Sequence, residues 1–244
     1  MNETVAQQVA VIWDFDGTLV DSHPKNLRVN RQIVQRITGQ EHTTFSALGS
    51  TGAYEQAVAR SGNWRDFYAR EFGFTEDDMH RAGELWPELQ LADPTPHLPF
   101  DGIPEALDTM AGVPHAILSQ NDSRVVRQAL DRAGLMKNFL SVFGHGELDR
   151  RDQKPAGGGL LHCIRSLGLA GDARVYFVGD HVTDAMAARN ARMLLNGHSG
   201  LRPEIVSVGA LFGAVKDTRW SVAPDHFVRN PPELVRLVQN GGTG

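Results

Sequence analysis

Residues 9–22 read VAVIWDFDGTLVDS. Val9 to Trp13 form a compact apolar run that ends abruptly in charge, the pattern of a strand covered on both faces. Asp14 and Asp16 follow at once, one residue apart, and then Gly17 and Thr18. An Asp-Gly pair is ordinary turn chemistry, which explains Gly17 and in part Asp16. It does not explain Asp14, flush against Trp13, where desolvation and like-charge repulsion both oppose a carboxylate.

Similar runs recur at His115–Leu118 and Arg174–Val178, more weakly around Leu140–Phe143, and near His226–Val228. Between them lie amphipathic stretches. In Ser123 to Gly134, residues Val125, Val126, Ala129, Leu130 and Ala133 give the i, i+4 rows of a helix that Gly134 is placed to end. PPELVRLVQ, from Pro231, predicts a closing helix with proline at its start. Short strands alternating with helices predict an α/β fold, a Rossmann-like doubly wound parallel sheet. Residues 22–97 break the alternation and contain no convincing strand. Ser22 is placed to cap a helix that Pro24 opens and that runs through Ile37, and a second helix begins at Thr75, with Asp78 in a capping-box position. DPTPHLPFDGIP, Asp93 to Pro104, then predicts a rigid loop. The expected organisation is a discontinuous core, 1–21 and 98–244, with a small α-helical cap domain, 22–97, inserted after the first strand.

Composition narrows the partners. With 24 Lys+Arg against 29 Asp+Glu the net charge is −5, and no basic block offers a nucleic-acid footprint. The single cysteine, Cys163, cannot form an internal disulfide and sits among apolar neighbours, which predicts a small core residue and a reducing compartment. MNETVAQQ lacks a signal-peptide pattern and no apolar run reaches membrane-spanning length, so the expectation is a cytoplasmic protein without membrane partners. None of the histidines forms an HExxH pair, which disfavours zinc.

In a doubly wound sheet, ligands bind beyond the carboxyl ends of the strands. Ser119 after HAIL, Lys154 beyond the weak strand, and Asp180 and Asp184 after VYFV could therefore meet Asp14 and Asp16 in one crevice. Converging carboxylates repel unless a cation sits among them, and oxygen-only ligands suit Mg²⁺ shared with a phosphate. Ser119 and Lys154 would add a hydroxyl donor and a positive charge for a phosphoryl group.

DFDGTLVDS, the serine after AIL, Lys154-Pro155 and GDHVTDA resemble, in order, the four motifs of the haloacid dehalogenase-like hydrolase superfamily. The resemblance covers nearly the whole chain, with the helical insert where a C1-type cap would lie, and is nearest to phosphoglycolate-phosphatase-like and β-phosphoglucomutase-like members. It implies that Asp14 is a nucleophile forming an aspartyl-phosphate and that Asp16 is the general acid and base. It also implies that the Gly17 amide, Ser119 and Lys154 bind phosphate. Mg²⁺ would be held by Asp14, the Asp16 carbonyl, Asp180 and Asp184, with Asp184 as ligand or anchor. The implied activity is a Mg²⁺-dependent phosphatase for a small phosphorylated metabolite. A phosphomutase uses the same carboxylates, and a non-catalytic phosphometabolite- or partner-binding protein could share the scaffold, although a pure binder has no need of Asp16. Dehalogenases lack an aspartate at the position of Asp16, since a halide needs no proton. Phosphonatases use a cap lysine, and the surroundings of Lys25 do not resemble that motif.

Two stretches depart from the family pattern. Arg192-Met193 replaces an Ala-Gly, and KPAGGG, Lys154 to Gly159, carries glycines expected to loosen the backbone near Lys154. Candidate substrate contacts are His181 and the cap glycines Gly49 and Gly52; Arg60, Arg65 and Arg70 read as a solvated helical face. Oligomeric state leaves no mark in these motifs.

Overall fold

The computed structural model describes residues 7–169, 171–196, 202–213 and 220–241. Its strands are β1 Val9–Trp13, β2 Val20–Asp21, β3 Leu98–Pro99, β4 His115–Asp122, β5 Ser141–His145, β6 Arg174–Gly179, β7 Glu204–Ala210 and β8 His226–Val228. Its α-helices are α1 His23–Thr38, α2 Thr51–Ala59, α3 Trp64–Phe72, α4 Glu76–Ala92, α5 Ile103–Thr109, α6 Ser123–Arg132, α7 Gly158–Ser166, α8 Val182–Leu195 and α9 Pro231–Gln239.

Six strands form one parallel sheet in the order β5-β4-β1-β6-β7-β8. Strand β1 is central, with Trp13 opposite Ile117 on one side and Val178 on the other. Side chains alternate between two cores, as strand geometry requires. Val11, Trp13, Ile117, Tyr176 and Val178 pack against α5, α6 and α9 on one face. Ile12, Leu118, Val175 and Phe177 meet α7 and α8 on the other, where Cys163 is a fully buried member. The result is the three-layer, doubly wound α/β fold expected from the sequence. No helix among the described residues is long and apolar enough to cross a membrane.

Helices α1 to α4 gather around a separate core that includes Leu27, Ile33, Tyr54, Phe67, Phe72 and Met79. The antiparallel pair β2–β3 sets Asp21 against Leu98 and so pinches together the two chain crossings that flank this bundle. Asn63 caps α3, accepting from the amides of Arg65 and Asp66, and Thr75 with Asp78 closes a capping box on α4. Ser22 does not cap α1 with its side chain; its Oγ instead accepts from Asn26 Nδ2 at 3.2 Å. The proline-rich stretch is not a simple loop either, since it contains β3 and the first two residues of α5.

Strand β7 escaped the sequence reading because Ser207 and Gly209 interrupt its apolar run. In the fold Ser207 Oγ donates to Asp225 Oδ2 at 2.9 Å, so a buried hydroxyl is satisfied from 18 residues away. Arg192, one of the departures from the family pattern, ties α8 to this strand: its Nε donates to the Ile205 carbonyl at 2.9 Å, and its guanidinium pairs with Asp225.

Trp13 is fully buried and its indole N–H donates to His115 Nδ1 at 3.1 Å. Burial pushes His115 from the ordinary 6.5 down to about 4, only partly opposed by the Met110 carbonyl. Between those values the unfolded chain takes a proton that the folded chain refuses. The contribution is therefore full above pH 6.5 and is lost as pH falls towards 4. Urea unfolding at pH 4.5 should show about 2.5 kcal/mol less stability from this group than at pH 7.5. A His115→Asn variant should lose much less on acidification, and an equally steep loss there would clear His115 of the effect.

Candidate active site

The β1 ladder continues one residue past the strand, where the Asp14 amide donates to the Val178 carbonyl at 2.7 Å. The chain then turns sharply: the Gly17 amide donates to the Val20 carbonyl at 3.0 Å, with Gly17 at φ +75°. A Cβ on Gly17 would lie 2.1 Å from Asp180 Oδ2, so only glycine allows this turn to close on the end of β6. The Gly17 amide, expected to face phosphate, is thus engaged within the turn. Asp180 follows β6 directly. His181 caps α8, and its amide donates to Asp184 Oδ2 at 3.1 Å.

Carboxylate oxygens of Asp14, Asp180 and Asp184 lie within 4.8 Å of one another. Lys154 Nζ reaches Asp14 Oδ1 at 2.6 Å and Asp184 Oδ1 at 2.7 Å, with its side chain 3% exposed. One ammonium among three carboxylates, two of them buried and Asp180 half-buried, leaves negative charge in excess. Burial accordingly pushes Asp14 well above the usual carboxylate range, with Lys154 pulling down and Asp184 and Asp180 pushing up. Burial, and then Asp184, raises Asp180 to about 7. Burial alone would depress Lys154, but Asp14 and Asp184 overcome it and hold the ammonium charged. A cluster of hard oxygen donors short of positive charge is a set that Mg²⁺ fits. Asp184 could contribute only in part, because Lys154 and the His181 amide already engage one oxygen each.

Asp16 stands apart from this cluster. Its Oδ1 accepts from Asn26 Nδ2 at 3.3 Å and its Oδ2 from Asn121 Nδ2 at 3.0 Å. Both amides are themselves held by α4. Gln90 Nε2 donates to Asn26 Oδ1 at 2.6 Å, and Trp86 Nε1 donates to Asn121 Oδ1 at 3.0 Å. The insert thus fixes the orientation of a carboxyl that belongs to the sheet. One donor per oxygen leaves each with a second lone pair for a proton in transit.

These groups open onto a cavity of about 320 Å³ between the sheet's carboxyl end and the helical insert. Ser119 lines it, 5% exposed, with its Oγ accepting from the Asn121 amide at 3.0 Å. His181 also lines it, its Nδ1 3.0 Å from Thr183 Oγ1, and burial lowers its pKa. The structure therefore brings together Asp14, Asp16, Ser119, Lys154, Asp180, Asp184 and His181. Gly49 and Gly52 do not line the cavity. Lys25 is buried elsewhere, its Nζ donating to the Asp93 carbonyl at 3.0 Å. Arg60, Arg65 and Arg70 pair with Glu71, Glu76 and Asp66.

The backbone around Lys154 is pinned rather than loose. The Lys154 carbonyl accepts from Gln120 Nε2 and the Pro155 carbonyl from Asn190 Nδ2, both at 2.8 Å. Gly157 serves close packing, since a Cβ there would lie 2.2 Å from the Ala191 nitrogen on α8.

Sequence reading missed Asn26, Trp86, Gln90 and Asn121. One signal was present: Ser22, Asn26 and Asn30 recur at i, i+4, i+8 on a face of α1 that the structure buries. A polar row on a buried helix face needs partners. Trp86 and Gln90 gave no such sign, because their partners lie far away in sequence.

The family model of haloacid dehalogenase-like hydrolases matches residues 9–192. Among curated proteins, the chain is 25% identical to an N-acetylmuramic acid 6-phosphate phosphatase of Pseudomonas aeruginosa, covering 94% of both chains. It is 29% identical to a phosphoglycolate phosphatase of Xanthomonas campestris pv. campestris, over 92% of this chain and 94% of that one. Among solved structures, a haloacid dehalogenase-like family hydrolase of Streptococcus pneumoniae superposes with a TM-score of 0.68 at 14% identity, covering 94% of this chain and 97% of the other; at that identity it speaks for the fold alone. With the family match spanning about three quarters of its length, the chain belongs to the haloacid dehalogenase-like hydrolases.

Proposed function

We propose that this hydrolase is a Mg²⁺-dependent phosphatase that releases phosphate from a small phosphorylated metabolite through an aspartyl-phosphate on Asp14. One observation carries the reading. Two kinds of carboxylate stand side by side, a cation-deficient cluster of Asp14, Asp180 and Asp184, and Asp16, whose oxygens accept from the side-chain amides of Asn26 and Asn121. Carboxylates placed in such different surroundings suit a division between nucleophile and acid/base. The names of the relatives, phosphatases of phosphoglycolate and of N-acetylmuramic acid 6-phosphate, agree with this class of reaction.

In this reading an Asp14 oxygen attacks phosphorus, the ester P–O bond breaks, and Asp16 gives its proton to the departing alkoxide. Asp16 then takes a proton from water as that water attacks phosphorus, which breaks the Asp14–phosphorus bond and frees inorganic phosphate. Lys154 balances charge shared between Asp14 and the phosphoryl group, and Ser119 Oγ donates to a phosphoryl oxygen. Asp14, Asp180, the Asp16 carbonyl and part of Asp184 would hold Mg²⁺. When bound, the ion would neutralise phosphoryl charge and keep Asp14 ionised. Helices α1 to α4, within residues 22–97, act as a cap that shuts water out, with residues 1–21 and 98–244 as the core.

The expected result is hydrolysis of p-nitrophenyl phosphate that chelation abolishes and Mg²⁺ restores. With hexose 1-phosphates, any turnover should yield free phosphate, whereas an isomeric hexose phosphate as product would identify a mutase. Absence of Mg²⁺-dependent turnover on any phosphate ester would end the phosphatase reading.

A further inference from the structure

The insert side of the cavity differs in chemistry from its floor. The floor is charged; the opposite wall is formed by Val58, Trp64, Phe67 and Trp86, with Pro87 beside them. Among the described residues Lys154 is the only lysine or arginine on the cavity; its histidines are His23, His145 at the end of β5, and His181, whose pKa burial lowers. Lys154 is engaged by Asp14 and Asp184, and His23 Nδ1 lies 3.3 Å from Asp21 and 3.7 Å from Glu55. Arg60, Arg65 and Arg70, the insert arginines considered from sequence, do not line it. A carboxylate carried into this wall would lose its water and gain no counter-charge, the most expensive form of burial.

Two polar atoms of the wall point to what it receives. Among the described residues Asn30 Oδ1 and the Tyr68 hydroxyl find no hydrogen-bond partner although both are buried, and both residues line the cavity. Asn30 is 2% exposed and Tyr68 3%. The orientation of Asn30 is fixed, because its Nδ2 donates to the Asn26 carbonyl at 2.9 Å and to the Tyr54 hydroxyl at 3.1 Å. Its Oδ1 is therefore an acceptor without a donor. Pro87 adds to the demand: it has no N–H for the Gly83 carbonyl one turn earlier in α4, and Gly83 also lines the cavity. Buried polar groups left unpaired cost stability, so a wall that keeps them is built for a ligand that brings donors.

We propose that the substrate's leaving alcohol is an uncharged, hydroxyl-bearing ring, a sugar or the ribose end of a nucleoside, that rests on the Trp64–Phe67–Trp86 wall and donates to Asn30 Oδ1, with Tyr68 taking a second polar atom. This rests on the phosphatase reading for the end of the cavity that takes the phosphate. It goes against small carboxylate-bearing esters as substrates.

The test compares glucose 6-phosphate, uridine 5′-monophosphate and 2-phosphoglycolate, each by steady-state kinetics and by titration calorimetry with Mg²⁺ present. One of the two ring esters should exceed 2-phosphoglycolate in kcat/KM by about 100-fold, and which one it is identifies the ring. Tyr68→Phe should lower the ratio of kcat/KM for that ester to kcat/KM for p-nitrophenyl phosphate about tenfold without lowering Tm, since the hydroxyl has no partner to lose. A purely structural tyrosine would instead lower Tm and leave the ratio where it was, and that result would overturn the proposal. So would a preference for 2-phosphoglycolate, or neither binding nor turnover of the ring esters. Tight binding of a ring ester without turnover would uphold the ligand class and remove the phosphatase reading instead.

Discussion

Asp14→Asn is expected to lower Mg²⁺-dependent hydrolysis of p-nitrophenyl phosphate by about 10⁴-fold or more while leaving the folded protein at least as stable as the wild type. The loss in rate follows from removing the nucleophile, since an amide oxygen cannot form the aspartyl-phosphate. The stability follows from the charge balance. Three carboxylates, two of them buried, cluster around one ammonium, and burial already holds Asp14 well above its ordinary pKa, so its charge is a burden on the metal-free fold. Neutralising it leaves Lys154 paired with Asp184 at 2.7 Å. Thermal unfolding without Mg²⁺ should show a Tm equal to or above that of the wild type, the usual relation when a strained functional group is removed. Retained hydrolysis would exclude Asp14 as nucleophile. A clear fall in Tm would mean that the Lys154–Asp14 contact stabilises more than the carboxylate repulsion costs.

The sequence made the core legible for a physical reason. Parallel strands buried on both faces read as unbroken apolar runs, and β1 and β6 each end where a chemically distinctive side chain begins, while the apolar run of β4 gives way at Ser119 before the strand itself ends at Asp122. Strand β7 did not, because Ser207 is tolerated inside it only through Asp225, a partner outside the strand. The same limit applies at the site. Asp14, Asp16, Lys154 and Asp180 stand out because a carboxylate or ammonium beside a buried strand needs a reason, whatever its neighbours. Trp86 and Gln90 are ordinary residues on an amphipathic helix until α4 is set against Asn121 and Asn26. Gly49 and Gly52 show the converse, since glycines in an inserted helical segment suggested close approach to a ligand and the fold turns them elsewhere. The glycines after Lys154 suggested looseness, whereas Gly157 lets α7 meet α8 at backbone distance. Local chemistry marks where a reaction can occur; the residues that aim and enclose it emerge only when distant segments meet.

Lys154→Met should move stability the other way. Methionine keeps an unbranched chain of similar reach and removes the only ammonium contacting the cluster among the described residues. Asp14 and Asp184 would then be buried beside the half-buried Asp180 with no ammonium between them, and removing one partner of a buried ion pair costs about 3–5 kcal/mol. The variant should therefore unfold at a clearly lower Tm in chelator. Added Mg²⁺ should recover more of that loss than it adds to the wild type, because the variant site carries one more unit of uncompensated negative charge and binds the cation more tightly. Catalysis should still fall about 10²–10³-fold at saturating Mg²⁺, since the positive charge beside the phosphoryl group is gone even when the fold is restored. Together with Asp14→Asn, this separates charge balance from packing: one substitution relieves the excess of negative charge and the other deepens it, at side chains 2.6 Å apart. If both variants lost stability equally and neither responded to Mg²⁺, the cluster would be acting as a packing element, and the proposed metal site at the end of β1 would have no support.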